Sequence, residues 1–208
     1  MTKTTDSITK LLTAARRGDA AAQYELATRY RDGNGVDIDF EHAFDWFSAA
    51  TRLNHTEATR ELGTMFRFGR GIEQNLIAAA DFFVIAAKDG DVAAMANIAD
   101  YLDELQKIAL TGDATVSRCL TEIHNLGLGA EKSMSLTWAW AKWAKEGCRT
   151  SEDFDEATGI EEAYAFYKDY LSADDRREGE RVLTKLLAAG CKTGTPGKSP
   201  VKRKKVNR

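Results

Sequence analysis

Proline is nearly absent. Both prolines, Pro196 and Pro200, fall in the last 13 residues of the chain. Proline removes an N–H and fixes φ, so it breaks helix interiors; without it, the body of the chain is free to be almost wholly helical. Cysteine is scarce as well. Cys119, Cys148 and Cys191 are widely spaced and odd in number, with no CxxC, which argues against a disulfide framework or a zinc site and suits a reducing compartment. No apolar run approaches the ~18 residues of a membrane span. The N-terminal stretch MTKTTDSITKLLTAARRGD has no continuous apolar segment of the kind found in a secretory leader. The expectation is a cytoplasmic protein with no membrane partner. Histidine is also rare: His42, His55 and His124 are the three present, and HExxH, GxSxG and recognisable Cys/His pairs are missing.

What is present is a repeat. The chain has 208 residues, 43% of them hydrophobic, enough for a sizeable core. Ala22, Leu26, Ala27, Tyr30, Gly33, Gly35, Val36, Asp39, Ala43, Trp46, Ala50 and Asn54 recur 36 residues later as Ala58, Leu62, Gly63, Phe66, Gly69, Gly71, Ile72, Asn75, Ala79, Phe82, Ala86 and Gly90. A third unit begins on schedule at Ala94, Ile98, Ala99 and Leu102. Ala22, Leu26 and Tyr30 lie four apart, on one face of a first helix; Ala43, Trp46 and Ala50 lie on one face of a second.

GxG stands between the two helices. The first glycine suits the left-handed residue that ends a helix. Asp39 and Asn75 stand where the next helix needs an N-cap, and Val36 and Ile72 are expected to plug the turn into the core. A dinucleotide-type phosphate loop would follow a strand and carry a third glycine. Neither feature is present, so GxG reads as a helical-hairpin turn.

The pattern A-x3-L-G-x2-Y-x2-G-x-G-V-x2-D-x3-A-x2-W-x3-A resembles the Sel-1-like repeat, a relative of the tetratricopeptide repeat. The clearest units are residues 22–54 and 58–90. Residues 4–18 read as the second helix of a preceding half-unit. Residues 94–147 are a diverged stretch: the glycine turn is missing after Leu102, residues 103–110 look like a shortened second helix, and Val116, Leu120, His124, Gly127 and Gly129 restart the template. The stretch SLTWAWAKWAKEG follows, anchored on Gly147. Its tryptophans Trp138, Trp140 and Trp143 read as core and terminal packing or, alternatively, as an aromatic anchor for a partner. Residues 160–190 resemble a family C-terminal cap, with Ser172 as N-cap of the last helix. The resemblance implies an all-α fold, a right-handed α-solenoid of stacked helical hairpins with roughly ten helices, over residues 1–191.

Residues 192–208 are different material: seven basic residues, no acidic one, and both prolines. With a net charge of −3 for the whole chain, the body carries −10. The tail reads as disordered, either a solvated appendage or a segment for nucleic-acid association or nuclear import. TGTPGKS lacks the first glycine of a phosphate loop and no strand precedes it.

No constellation for catalysis, cofactor or metal binding emerges. Neighbouring acids such as Glu161–Glu162 and Asp174–Asp175 point about 100° apart on a helix and do not converge as an acid–base pair. The resemblance implies a surface instead: first helices lining a concave face that binds protein. It places there Tyr24, Thr28 and Arg31, then Arg60, Thr64 and Arg67, then Asp100 and Glu104, then Arg118 and Glu122. Arginine grips carboxylates through two N–H groups, so an acidic peptide segment is the expected ligand of the first two units. The function implied is a non-catalytic adaptor. Its alternatives are a cytoplasmic immunity protein for a cognate toxin and nucleic-acid association through the tail.

Overall fold

The computed structural model describes residues 2–146 and 154–190. Gly147, Cys148 and the basic tail lie outside them. Ten α-helices and no strand occur among the described residues: α1 Thr2–Arg16, α2 Ala20–Asp32, α3 Phe40–Thr51, α4 Thr56–Phe68, α5 Leu76–Lys88, α6 Val92–Leu110, α7 Ala114–Leu126, α8 Met134–Glu146, α9 Phe154–Tyr170 and α10 Ala173–Gly190. Consecutive helices pack on one another as antiparallel hairpins, and the result is an α-solenoid.

Side chains cap the N-termini of eight helices, α2 to α8 and α10. Asp19, Asp39, Asn75, Asp91 and Asp113 each accept a hydrogen bond from the backbone N–H three residues on, and His55 does the same through Nδ1. Ser133 and Ser172 cap α8 and α10 through their hydroxyls. The N-caps expected at Asp39, Asn75 and Ser172 are therefore in place. At the other end, Gly33, Gly69 and Gly127 terminate α2, α4 and α7 in the left-handed conformation, at φ of 75°, 65° and 75°.

One hydrogen bond then closes every glycine turn. The N-cap residue donates its own N–H to a carbonyl nine residues back: Asp39 to Tyr30, Asn75 to Phe66 and Ser133 to His124, each at 2.9 Å. The second glycine of GxG has a separate role. A Cβ on Gly71 would overlap the Phe40 carbonyl at the start of α3, and one on Gly129 would overlap the Met95 carbonyl of α6. The second glycine thus lets the turns at Gly71 and Gly129 rest on the backbone of an earlier unit.

Small residues set the helix spacing within the core. Ala27, Ala43, Ala50, Ala58, Ala79, Ala86 and Ala94 are fully buried. Gly63, the counterpart of Ala27, lies under the Phe83 ring, where a Cβ would come within 2.8 Å. The largest apolar cluster joins α5, α6 and α7 to Trp140 of α8. Trp138 packs against Tyr167 and Leu171, and Trp143 donates from Nε1 to the Ala109 carbonyl at 2.8 Å. All three tryptophans thus serve packing. The closing helix α10 lies on α8 with Gly179 against Ser135 and Trp138.

Two expectations need correction. Ile72 does not plug its turn; it is exposed, and Val36 is half-buried. In the third GxG turn the buried residue is Leu128, between the glycines. The third unit also forms no hairpin. Its glycine position is occupied by Leu105, which has no reason to adopt positive φ and is fully buried. The helix therefore runs on from Val92 to Leu110, with a kink at Tyr101 (φ −129°, ψ 19°), and residues 103–110 are its second half. With no second helix to cover it, Ala99 is exposed where Ala27 and Gly63 are buried. Helix α7 packs against both α5 and α6.

His124 occupies the turn position held by Tyr30 and Phe66. It is buried, its Nδ1 donates to the Glu131 carbonyl at 3.3 Å, and Nε2 has no partner. Burial lowers its pKa below the ordinary 6.5. The unfolded chain therefore takes up this proton at a higher pH than the fold does, and stability from neutral His124 is complete above 6.5 and lost as pH falls toward the folded value. The substitution H124F, which restores the aromatic of the other two turns, should flatten the decline in thermal midpoint between about pH 7.5 and about pH 5.5; a decline as steep as that of the parent protein would refute this role. Urea unfolding should also separate two glycines of positive φ. G90A meets open space and should cost about 1 kcal/mol, whereas G71A must also displace the Phe40 backbone and should cost about 3 kcal/mol.

Candidate interaction surface

The positions expected on the first helices of the two regular units are linked at two points, Tyr24 to His55 and Arg31 to Glu61. On α2, Tyr24 stacks on His55 with ring centroids 4.6 Å apart, and the Thr28 hydroxyl donates to the Tyr24 carbonyl. On α4, the Thr64 hydroxyl donates to the Arg60 carbonyl. Arg31 joins the two helices through an ion pair with Glu61 at 2.8 Å. All six side chains, Tyr24, Thr28, Arg31, Arg60, Thr64 and Arg67, are half-buried.

The charges along this row are largely answered from within. Arg31 makes two bonds to Asp32, at 2.7 and 2.9 Å, besides its pair with Glu61. Its hydrogen bond to Asp32 raises the Arg31 pKa and holds the Asp32 carboxyl below its usual range. Arg60 pairs with Glu61 at 2.6 Å and with Asp91, the N-cap of α6, at 3.1 Å. Burial opposes the charge on Arg60, and these two carboxylates more than offset it. The stretch read as basic from the sequence is thus a ladder of alternating sign that ties α2, α4 and α6 together.

Arg67 is different. Its guanidinium lies 4.5 Å from the centroid of Tyr101 and 5.2 Å from that of Phe68. It has no ion pair among the described residues. Burial raises the Tyr101 pKa, so that hydroxyl stays neutral beneath the cation.

The remaining expected residues do not continue the row as one. Asp100 and Glu104 stand exposed on α6. Arg118 and Glu122 turn toward α5: Arg118 binds Asp81 at 2.7 Å and Glu122 at 2.9 Å, and Lys88 binds Glu122 at 2.7 Å. They border a cavity of about 300 Å³ floored by Ala141, Ala144, Ile160 and Tyr167. Burial, with a smaller contribution from Glu122, raises the Tyr167 pKa. Cys119 is buried beside them, its thiol donating to Asp81 at 3.2 Å; burial first and Asp81 second push its pKa up, which keeps it protonated and unreactive.

The other two histidines have structural roles too. His42 donates from Nδ1 to Asp39 at 2.7 Å, the same residue that caps α3, and stacks on Tyr30. His55 caps α4 and stacks on Tyr24. Among the described residues no group of three or more His, Cys, Asp or Glu is placed to hold a metal ion, and no helix is long and apolar enough to cross a membrane.

Sequence reasoning missed Glu61, Asp91 and Asp81 as partners of the arginines, and Phe68 and Arg70 as surface residues. A signal for the first two existed: Glu61 follows Arg31 by 30 residues and Asp91 follows Arg60 by 31, nearly one unit.

No curated protein matches the chain. Among solved structures it is similar to a protective antigen present in uropathogenic Escherichia coli strains and displaying an SLR fold, at 23% identity and a TM-score of 0.42, over 93% of this chain and 45% of that one. It is also similar to a Sel1 repeat protein from Oxalobacter formigenes, at 22% identity and a TM-score of 0.42, over 73% of this chain and 47% of that one. The chain spans less than half the length of either. A family model, the Sel1 repeat, matches residues 20–55 and again 56–91. Helices α2 to α5, with the two glycine turns between them, are therefore two consecutive Sel1 repeats.

Proposed function

We propose that this chain is a non-catalytic adaptor, a cytoplasmic solenoid over residues 1–191 that holds a partner protein against the first helices of its repeats. Sel1 repeats generally serve as protein–protein interaction modules, and proteins built from them are typically scaffolds. One observation carries the reading. Half-buried polar side chains of α2 and α4 are joined across the two helices by the Arg31–Glu61 ion pair. The histidines, by contrast, are taken up by capping and packing. A surface of this kind recognises a partner by shape and hydrogen bonding across several repeats.

The seven basic residues of 192–208 favour a second reading, nucleic-acid association through the tail. An acidic body of net −10 opposes it by repelling polyphosphate. An immunity role differs from an adaptor role in yielding one tight complex rather than several weaker ones.

Capture of partners from native lysate, with identification by mass spectrometry and reconstitution of each purified pair, distinguishes these readings. The double substitution T28K/T64K places long side chains on the surface while sparing the ion pairs, because both hydroxyls bond only within their own helix. It should weaken partner binding about tenfold or more with an unchanged thermal midpoint. A partner retained by T28K/T64K but lost on deletion of residues 192–208 would replace the adaptor reading with the tail.

A further inference from the structure

The end of α4 differs from the corresponding ends of α2 and α7. Arg67, Phe68 and Arg70 of the second unit correspond to Arg31, Asp32 and Asn34 of the first, and to Asn125, Leu126 and Leu128 after the restart. The scaffold around all three is the same: a left-handed glycine and the bond from N-cap N–H to carbonyl nine residues back. In the first unit Asp32 neutralises Arg31 directly. In the third, Leu128 turns into the core. Only the second unit presents two cations around an exposed ring.

Phe68 is 55% exposed. The guanidiniums of Arg67 and Arg70 lie 5.2 and 5.5 Å from its centroid. Among the described residues no carboxylate pairs with either arginine, whereas Arg31, the counterpart of Arg67 in the first unit, is paired with Asp32 and Glu61. A guanidinium resting on an aromatic face keeps its in-plane N–H groups directed outward, the geometry that meets a carboxylate with two bonds. The platform beneath is held in place. Gln74 donates from Nε2 to the Arg67 carbonyl at 2.7 Å, and Asn75 closes the turn on Phe66.

We propose that Arg67, Phe68 and Arg70 form a recognition site for an acidic segment of a partner protein, in which the guanidiniums grip carboxylates and Phe68 contacts a neighbouring apolar or aromatic side chain. The inference rests on the protein-binding reading and assigns it a ligand chemistry and a place. Two cations beside a single ring suit a short run of Asp or Glu. A nucleic-acid strand would want a longer cationic track than the two arginines at this one ring supply.

Selection of a random peptide phage library on the full chain tests this, with recovered peptides synthesised and measured by fluorescence anisotropy. The expected result is enrichment of Asp and Glu next to an aromatic residue. Binding should weaken about tenfold or more in R67Q/R70Q, and it should weaken in F68A too. It should be unchanged in R16Q/R17Q, which removes the same charge from the exposed end of α1. The thermal midpoint of R67Q/R70Q reports whether the fold persists. Peptides that bind the parent protein and R67Q/R70Q equally would overturn the site while leaving the protein-binding reading standing. Failure to select any peptide would count against both. Tighter binding of oligo-dT than of any selected peptide, lost in R67Q/R70Q, would overturn the peptide assignment.

Discussion

Everything regular in this protein depends on how a helix is turned back on itself. A glycine ends the first helix, and the N-cap residue of the second returns its own N–H to the carbonyl of Tyr30, Phe66 or His124. The same residue's side chain meanwhile accepts from the N-terminus of the helix it begins. One residue therefore satisfies backbone groups at both ends of the turn, where a helix otherwise leaves them unpaired. The angle between the two helices follows from that closure. Alanines at the contact then set their separation, and stacking of successive hairpins builds the core that no single hairpin could bury.

Much of this was legible in the sequence because the devices are local. A glycine at a helix end, an Asp or Asn before the next helix and alanines at helical spacing each have one dominant physical use, and the 36-residue recurrence shows that the use is architectural. Two things were not legible. Ile72 was read as a plug from its apolar character, yet whether an apolar turn residue is covered depends on what the neighbouring unit places over it. The second glycine was read as part of a turn, whereas Gly71 and Gly129 are needed for contact with earlier helices. Both are long-range facts.

The charge pattern around the candidate residues was not legible in the sequence. The resemblance implied that Arg31, Arg60 and Arg67 share one face, and the Arg31–Glu61 ion pair joins the helices that carry them. Their net effect depends on Glu61 and Asp91, which reach them from 30 or so residues away and leave the first two arginines compensated. A half-buried arginine with two carboxylates ties helices together; one resting on Tyr101 and Phe68 retains an unanswered charge. Periodicity alone does not separate those two fates.

The loss of the third hairpin has a consequence for cooperativity. In a regular solenoid each unit feels only its two neighbours, so unfolding can proceed inward from an end one unit at a time. Here the continuous α6 allows α7 to reach past it to α5, where Arg118 meets Asp81 and Lys88 meets Glu122. That junction couples elements two steps apart in the chain. Fraying that begins at either end meets three helices that must separate together, so the irregular middle of the protein is its cooperative keystone.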